Sequence, residues 1–432
     1  MTRSAPRVTF YGWRVVAGAF VLAVFGWGIG FYGPPIYLQA VREARSWPLA
    51  IVSAAVTAHF VFGALVVANL PALYARFGVA AVTKAGSLSL ALGVLGWSVA
   101  VAPWQLFIAT LASGAGWAAL GAAAVNAIVS PWFMRRRPAA LATAYNGASI
   151  GGVIFSPLWV AAIDVLGFPV AAATVGLVTV ASIWLLAELL FSRTPQQLEL
   201  GPDGDALGAV LAAVPGAKLP LRLLWRDRKF VTLCAGMALG LFAQIGMIAH
   251  LFSLLVPALG AEPAGLAMGL ATAAAVMGRM LVGWLMPAGT DRRLVACASY
   301  AMQIAGALAF VAAAGTSVPL LVLGVVLFGA GIGNATSLPP LIAQVEFATP
   351  DVPRVVALII AVAQGAYAFA PASFGLIREF SSSAAGGAVF YGVVALVQGL
   401  AIVAFLAGRR ASPRSGRRCV VRARPGPAEA PP

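Results

Sequence analysis

Charge is scarce in this sequence. Asp, Glu, Lys and Arg make up 9% of its 432 residues, against about 25% in soluble globular proteins. Hydrophobic residues make up 61%. Too little polar side chain remains to cover a water-facing surface, which excludes an ordinary soluble domain. Lysine occurs three times, histidine twice and cysteine three times (Cys234, Cys297, Cys419). The cysteines have neither disulfide-framework nor zinc-site spacing, so no metal is expected. No Gly-rich loop ends in Lys-Ser or Lys-Thr, which removes the usual phosphate cradle of nucleotide-driven machines. No nucleophile–base arrangement is visible and no loop is long enough for a catalytic domain. The chain is read as a non-enzyme without a cofactor.

What the sequence has in abundance is long apolar runs. Mean hydropathy is +0.94. Cutting at charge clusters and Pro/Gly turns gives twelve apolar segments. They span about 14–34, 49–71, 82–102, 104–130, 139–163, 168–191, 230–256, 264–286, 293–314, 319–341, 355–377 and 386–407. Each is long enough to cross a hydrocarbon core of ~30 Å at ~1.5 Å per residue. The runs are continuously apolar rather than alternating, so helices are expected and not a β-barrel. The first run follows a basic start and is read as a membrane helix rather than a signal peptide, because it is too long for a signal core.

The formal net charge of +15 would point to nucleic acid in a soluble protein. Here the charge is sorted by topology. With both termini on one side, 24 of the 28 basic residues fall on that side. Arg42, Arg45 and Arg378 fall in opposite loops, and Arg279 stays inside a segment. Such a bias places the termini in the cytoplasm. The expected organisation is a six-helix half (1–191), a cytoplasmic linker (192–229), a second six-helix half (230–407) and a disordered basic tail (408–432). The tail's charge suits an anionic lipid surface. Arginine far exceeds lysine and alanine is abundant, which suggests a bacterial inner membrane.

A weak internal repeat agrees with six plus six. Arg137 is followed by Asn146-Gly147 and Pro157, and Arg354 by Gln364-Gly365 and Pro371. Further stretches are Tyr11-Gly12-Trp13-Arg14, Pro131-Trp132-Phe133-Met134 leading to Asn146, and Gly278-Arg279-Met280-Leu281-Val282-Gly283. On these stretches the chain resembles the major facilitator superfamily over essentially its whole length. Within it, the chain is most similar to bacterial monocarboxylate transporters and oxalate/formate antiporters. The resemblance implies two six-helix halves working by alternating access. In the family's helix 2–3 loop an aspartate helps to latch the gate. Here Arg76 and Gly78 fit that loop, but Ala75 replaces the aspartate; in the second half Pro287 does so, with Asp291-Arg292-Arg293 displaced. Arg76, Gly78 and Arg292 are therefore the gating-loop candidates.

A cation inside a membrane segment costs roughly 2.5–3.5 kcal/mol, so Arg279 needs a reason. A guanidinium holds a carboxylate by two parallel hydrogen bonds, and related carboxylate transporters use an arginine here. Arg279 is the expected carboxylate clamp; its alternative is bracing a helix end. Asn146, Gln364, Tyr367, Tyr32, Gln244 and Asn334 complete the substrate-binding candidates, each also able to bond helix to helix. His59 and His250 are the proton-coupling candidates. The expected partners are a small organic anion, a proton or counter-anion and membrane lipid. No nucleic acid is expected, and the chain is read as a monomer. Two other readings stay open: a carrier of neutral or drug-like solutes, including efflux, and a transporter-like sensor.

Overall fold

The computed structural model describes residues 10–204, 220–287, 289–348, 350–381 and 386–409. Arg3, Arg7, Lys218, Cys419, linker residues 205–219 and the tail from 410 lie outside them. The described residues contain twelve helical spans long and apolar enough to cross a membrane, and strands are absent among them. They are α1 (Tyr11–Arg45), α2 (Leu49–Phe77), α3 (Val79–Val99), α4 (Pro103–Trp132), α5 (Ala139–Leu166) and α6 (Phe168–Phe191). Then follow α7 (Arg228–Leu259), α8 (Ala261–Leu285), α9 (Arg292–Ala313), α10 (Val318–Glu346), α11 (Arg354–Phe380) and α12 (Gly387–Ala407). An even number of spans puts the ends of α1 and α12 at the same face, called here the terminal end; the opposite face is the distal end.

Several boundaries run past the expected ones. Residues 31–33 break α1, but Pro34 and Pro35 restart it and helix continues to Arg45. Proline at the first helical positions has its φ preset and no N–H to waste. Likewise α11 breaks near Ala368 and continues as Ala370–Phe380. Arg42, Arg45 and Arg378 therefore ride on helix ends, a correction to their expected place in loops. Turns between neighbours are abrupt. Gly78 alone joins α2 to α3 with φ +80°, and Gly260 joins α7 to α8 with φ +82°; a side chain would be strained in that left-handed region. Asp227 and Asp291 cap α7 and α9 by accepting the N–H of Lys229 (2.7 Å) and Arg293 (3.0 Å).

Packing repeats with a shift of six. In the first six helices α1 packs on α5, α2 on α4, α3 on α4 and α3 on α6; in the second six α7 packs on α11, α8 on α10, α9 on α10 and α9 on α12. Small residues make these approaches possible. A methyl group on Gly306 of α9 would stand 2.6 Å from the Phe328 backbone of α10. Buried polar side chains add glue. Gln398 donates to Gln303 (2.7 Å), which donates to Gln244 (3.4 Å), tying α12, α9 and α7 together.

At the terminal end of the second half, Arg293 is 1% exposed. Its guanidinium spends its donors on both Glu346 oxygens (2.7 and 2.9 Å), Thr232 Oγ1 and the carbonyls of Lys229 and Phe405. The first half has a lighter counterpart, the Lys84–Glu188 pair between α3 and α6. Linker residue Asp203 folds back onto this half, accepting the N–H groups of Met134, Arg135 and Arg136 at 3.1, 2.7 and 3.2 Å.

Candidate translocation pathway

The two sets of six helices meet along two seams. In the first, α5 faces α8. Gly265 lies against Val160, Gly269 against Val153 and Pro157, and Gly152 between Thr272 and Tyr32. In the second, α2 faces α11. The Ala50 N–H meets Glu379 (2.5 Å), Ser53 touches Gly375, Thr57 accepts the Ala372 N–H (2.9 Å), and the Phe60 and Tyr367 rings meet edge-on at 6.2 Å. All these contacts lie in the distal halves of the helices. Beyond them, towards the terminal end, the seams part. An added methyl at Gly365 or Gly283 meets nothing within 4 Å. Among the described residues, these cross-seam contacts close the distal end.

Arg279 sits where the first seam parts. It lies seven residues beyond Thr272, two turns along the same face of α8. Its Nε–H donates to the Gly333 carbonyl of α10 (3.0 Å), and Thr272 lies beside the Tyr32 ring where both approach Gly152. Asn146 lies seven residues before Val153, on the stripe of α5 that faces α8, and is exposed. The antiparallel register that pairs Thr272 with Gly152 brings Asn146 opposite Arg279. Gln364 and Tyr367 hold the matching place on the second seam. Tyr367 closes an aromatic floor with Phe60, Phe31, Tyr32 and Trp117, ring centroids 5.0–6.2 Å apart. By helix register, Arg279, Tyr32, Asn146, Gln364 and Tyr367 fall near the level of the last cross-seam contacts.

Other candidates lie elsewhere. Gln244 belongs to the glutamine ladder inside the second half. Asn334 is 1% exposed, with both amide atoms unpartnered, and lies among Tyr300, Ser299 and Phe405. His59 is enclosed within the first half. Its Nε2–H donates to the Gly30 carbonyl (2.9 Å) and its Nδ1 accepts from the Ser113 hydroxyl (2.8 Å), which also accepts from the Trp97 indole (3.2 Å). Every polar atom of that ring is used. Of the gating-loop residues, Arg76 lies over the Phe77 ring at 5.1 Å, Gly78 makes the bare turn, and Arg292 donates to the Leu341 carbonyl.

His250 sits in the distal gate rather than at the opening. It is fully buried. Its Nε2–H donates to the Pro371 carbonyl (3.0 Å), and its Nδ1 accepts from the Arg378 guanidinium (3.2 Å), which also donates to Ser253 (2.6 Å). Arg42 and Arg378, at this gate, were passed over as loop charges. The signal was present: Pro34-Pro35 predicts a helix restart before Arg42, and Arg378-Glu379 follows seven residues after Pro371.

Residues 16–371 match the Major Facilitator Superfamily. The chain belongs to that family. Among curated members it is similar to MFS-type transporter 1 of Ophiocordyceps sp. (strain BCC 1869), 28% identical over 196 residues, 44% of this chain and 42% of that protein. It is also similar to MFS transporter asaE of Aspergillus flavus, 32% identical over 152 residues, a third of each chain. The matches thus span less than half the length of these fungal relatives. Solved structures of the same fold include the nucleoside transporter NupG (TM-score 0.67, 12% identity, 92% of this chain and 98% of that one). Another is a bacterial homologue of the human lysosomal transporter Spinster, in an inward-facing, unoccupied conformation (TM-score 0.65, 13% identity, 94% and 98%). The described residues of this facilitator-superfamily chain hold twelve candidate membrane spans, and proteins of the family are generally not enzymes.

Proposed function

We propose that the chain carries small organic anions, monocarboxylates foremost, by secondary active alternating access. The reading is carried by Arg279, a cation inside span α8 that lies two turns beyond Thr272 at the α5/α8 seam and, by helix register, level with Asn146. Its Nε is used by Gly333, and the two terminal nitrogens form the fork that takes a carboxylate. Asn146, Gln364 and Tyr367 supply neutral donors around it. The basic bias puts the terminal end in the cytoplasm, so the described state opens inward. The halves 1–191 and 230–407 would rock about the seams, monomer by monomer. A bacterial inner membrane remains the reading from composition, while the two curated relatives are fungal.

A second reading rests on the same arginine. The Arg279–Gly333 bond braces α8 against α10, and the aromatic floor suits a neutral or drug-like solute. Uptake into liposomes of labelled mono- and dicarboxylates, with and without a pH gradient, separates the two. A charge-assisted bond is worth about 1.5–3 kcal/mol, so Arg279→Ala is expected to weaken carboxylate uptake roughly 10–150-fold, with Arg279→Lys in between. Equal carboxylate uptake by a folded Arg279→Ala protein, or uptake of neutral solutes alone, would sink the anion reading.

A further inference from the structure

We propose that His250 is the residue that takes up the coupling proton, and that its protonation releases the distal gate. The inference deepens the transporter reading by naming its coupling ion; it needs the cytoplasmic placement of the termini but not the carboxylate.

The argument starts from which atom can donate. A carbonyl only accepts, so the His250 Nε2 bonded to the Pro371 carbonyl carries the hydrogen. A guanidinium only donates, so Nδ1 facing Arg378 must present its lone pair. The closed gate therefore demands a neutral imidazole. A proton arriving at Nδ1 takes the lone pair that holds Arg378. The arginine then loses that acceptor and faces a second cation.

The surroundings amplify this. From α11 comes Arg378; from α1 comes Arg42, whose charge acts on both His250 and Arg378. The α12 side offers the Phe390 ring, edge-on at 5.8 Å, and Tyr391 beside Arg378. On α7 itself is Ser253, and Gly375 of α11 brings Ser53 of α2 close to the ring. The nearby carboxylates are committed elsewhere: Glu379 accepts the Ala50 N–H and Glu43 the Gln39 amide. Among the described residues no carboxylate forms an ion pair with Arg42, Arg378 or His250. Charging the ring would thus set three cations together at the boundary between the halves. Like charges repel most strongly where water is excluded.

The loosened segment is the one that zips the second seam. Pro371, held by His250, precedes Ala372, Gly375 and Glu379, which touch Thr57, Ser53 and Ala50 of α2. Losing the His250–Arg378 bond frees α11 at the point where it meets the other half. Protons bind the open gate and not the closed one. By linkage, acid on the distal side favours opening by about tenfold per pH unit below an ordinary imidazole pKa of about 6.5.

The test needs no substrate. Spin labels at Ala44→Cys and Phe380→Cys, with native cysteines replaced by serine, report the distal distance in nanodiscs. Between pH 6.5 and pH 5 the open-to-closed ratio is expected to rise about 16-fold. His250→Gln can donate to Pro371 and accept from Arg378 yet cannot titrate, so it should stay closed at both pH values. Its thermal unfolding midpoint checks that it folds. Arg378→Gln should open the gate and flatten the pH response. A wild-type distance distribution unchanged from pH 8 to pH 5, or a His250→Gln protein that responds like wild type, overturns the proposal.

Discussion

Gly152 offers a direct perturbation of the closed distal state. It stands on α5 where the first seam is tightest. A Cβ there would lie 2.6 Å from Thr272 Cγ2 on α8 and 2.6 Å from Tyr32 Cε2 on α1. Real side chains do not tolerate such distances, so something must move. The Tyr32 ring belongs to the same half and can swing aside; Thr272 belongs to the other half and moves only if α8 retreats. Gly152→Val therefore penalises the closed seam and leaves the open one alone. Overpacking of this kind costs typically 1–3 kcal/mol, which is roughly a 5- to 150-fold shift of the closed-to-open ratio at ~1.4 kcal/mol per tenfold. Distances between labels at Val165→Cys and Leu266→Cys, near the distal ends of α5 and α8, read the shift by electron spin resonance. Gly283→Val is the control on α8, since a methyl there meets nothing within 4 Å. If a folded Gly152→Val protein gives the wild-type distance distribution, the seam is not the barrier described.

Glu346→Ala should be the most damaging single change at the terminal end. It strips two acceptors from Arg293, which is 1% exposed, and leaving one member of a buried pair alone costs about 3–5 kcal/mol; a detergent melting curve within a degree of wild type would contradict this. Ser113→Ala removes the shared partner of His59 and Trp97 and should cost about 1–3 kcal/mol in the same melt, with no change in the pH dependence of transport. Asp203 lies outside the spans: burial raises its carboxyl pKa, but the N–H groups of Arg135, Arg136 and Met134 and the Arg135 charge outweigh that and leave it lowered. A lowered carboxylate stabilises the docked linker above the ordinary carboxylate range and loses that contribution as pH falls through the folded value. Hydrogen exchange at Met134 to Arg136 should thus be slow at pH 7 and speed up only in strong acid; Asp203→Asn should be fast already at neutral pH.

Most of the fold was legible because bilayer thickness is a harsh constraint. Twelve apolar runs and the sorting of arginines to one side needed no structural help, and each expected run coincides with one span. Helix ends were harder. Arg42 and Arg378 read as loop residues since hydropathy falls off before the helix does: α1 continues to Arg45 and α11 to Phe380 as amphipathic ends packed against the other half. For the candidate site, Arg279 stood out by its cost and Asn146 and Gln364 by their place in the internal repeat; their roles are proposals. The separation of the two histidines was not legible. Whether a buried imidazole is fully bonded inside one half, like His59, or set against an arginine in a gate, like His250, depends on partners 54 and 128 residues away.

The two seams are related as the two halves are. On α5/α8, paired residues add to nearly constant totals, as antiparallel helices require, and the same holds for α2/α11. Each seam has its tight distal stretch, a last contact at mid-height and then open space. Gly152 with Thr272 and Phe60 with Tyr367 are those last contacts. Alternating access requires these contacts to break while others form beyond them, with the site near the pivot. The proposed solute site, with Arg279, Asn146, Gln364 and Tyr367, is set at that level, where a bound solute would change least as the halves rock. His250 and Arg378 lie at the far end of the lever, where a small local repulsion acts on the largest displacement. In this proposal, solute binding and proton binding occupy different heights of one hinge. Coupling between them then needs no direct contact, only a shared dependence on whether the distal seams are closed.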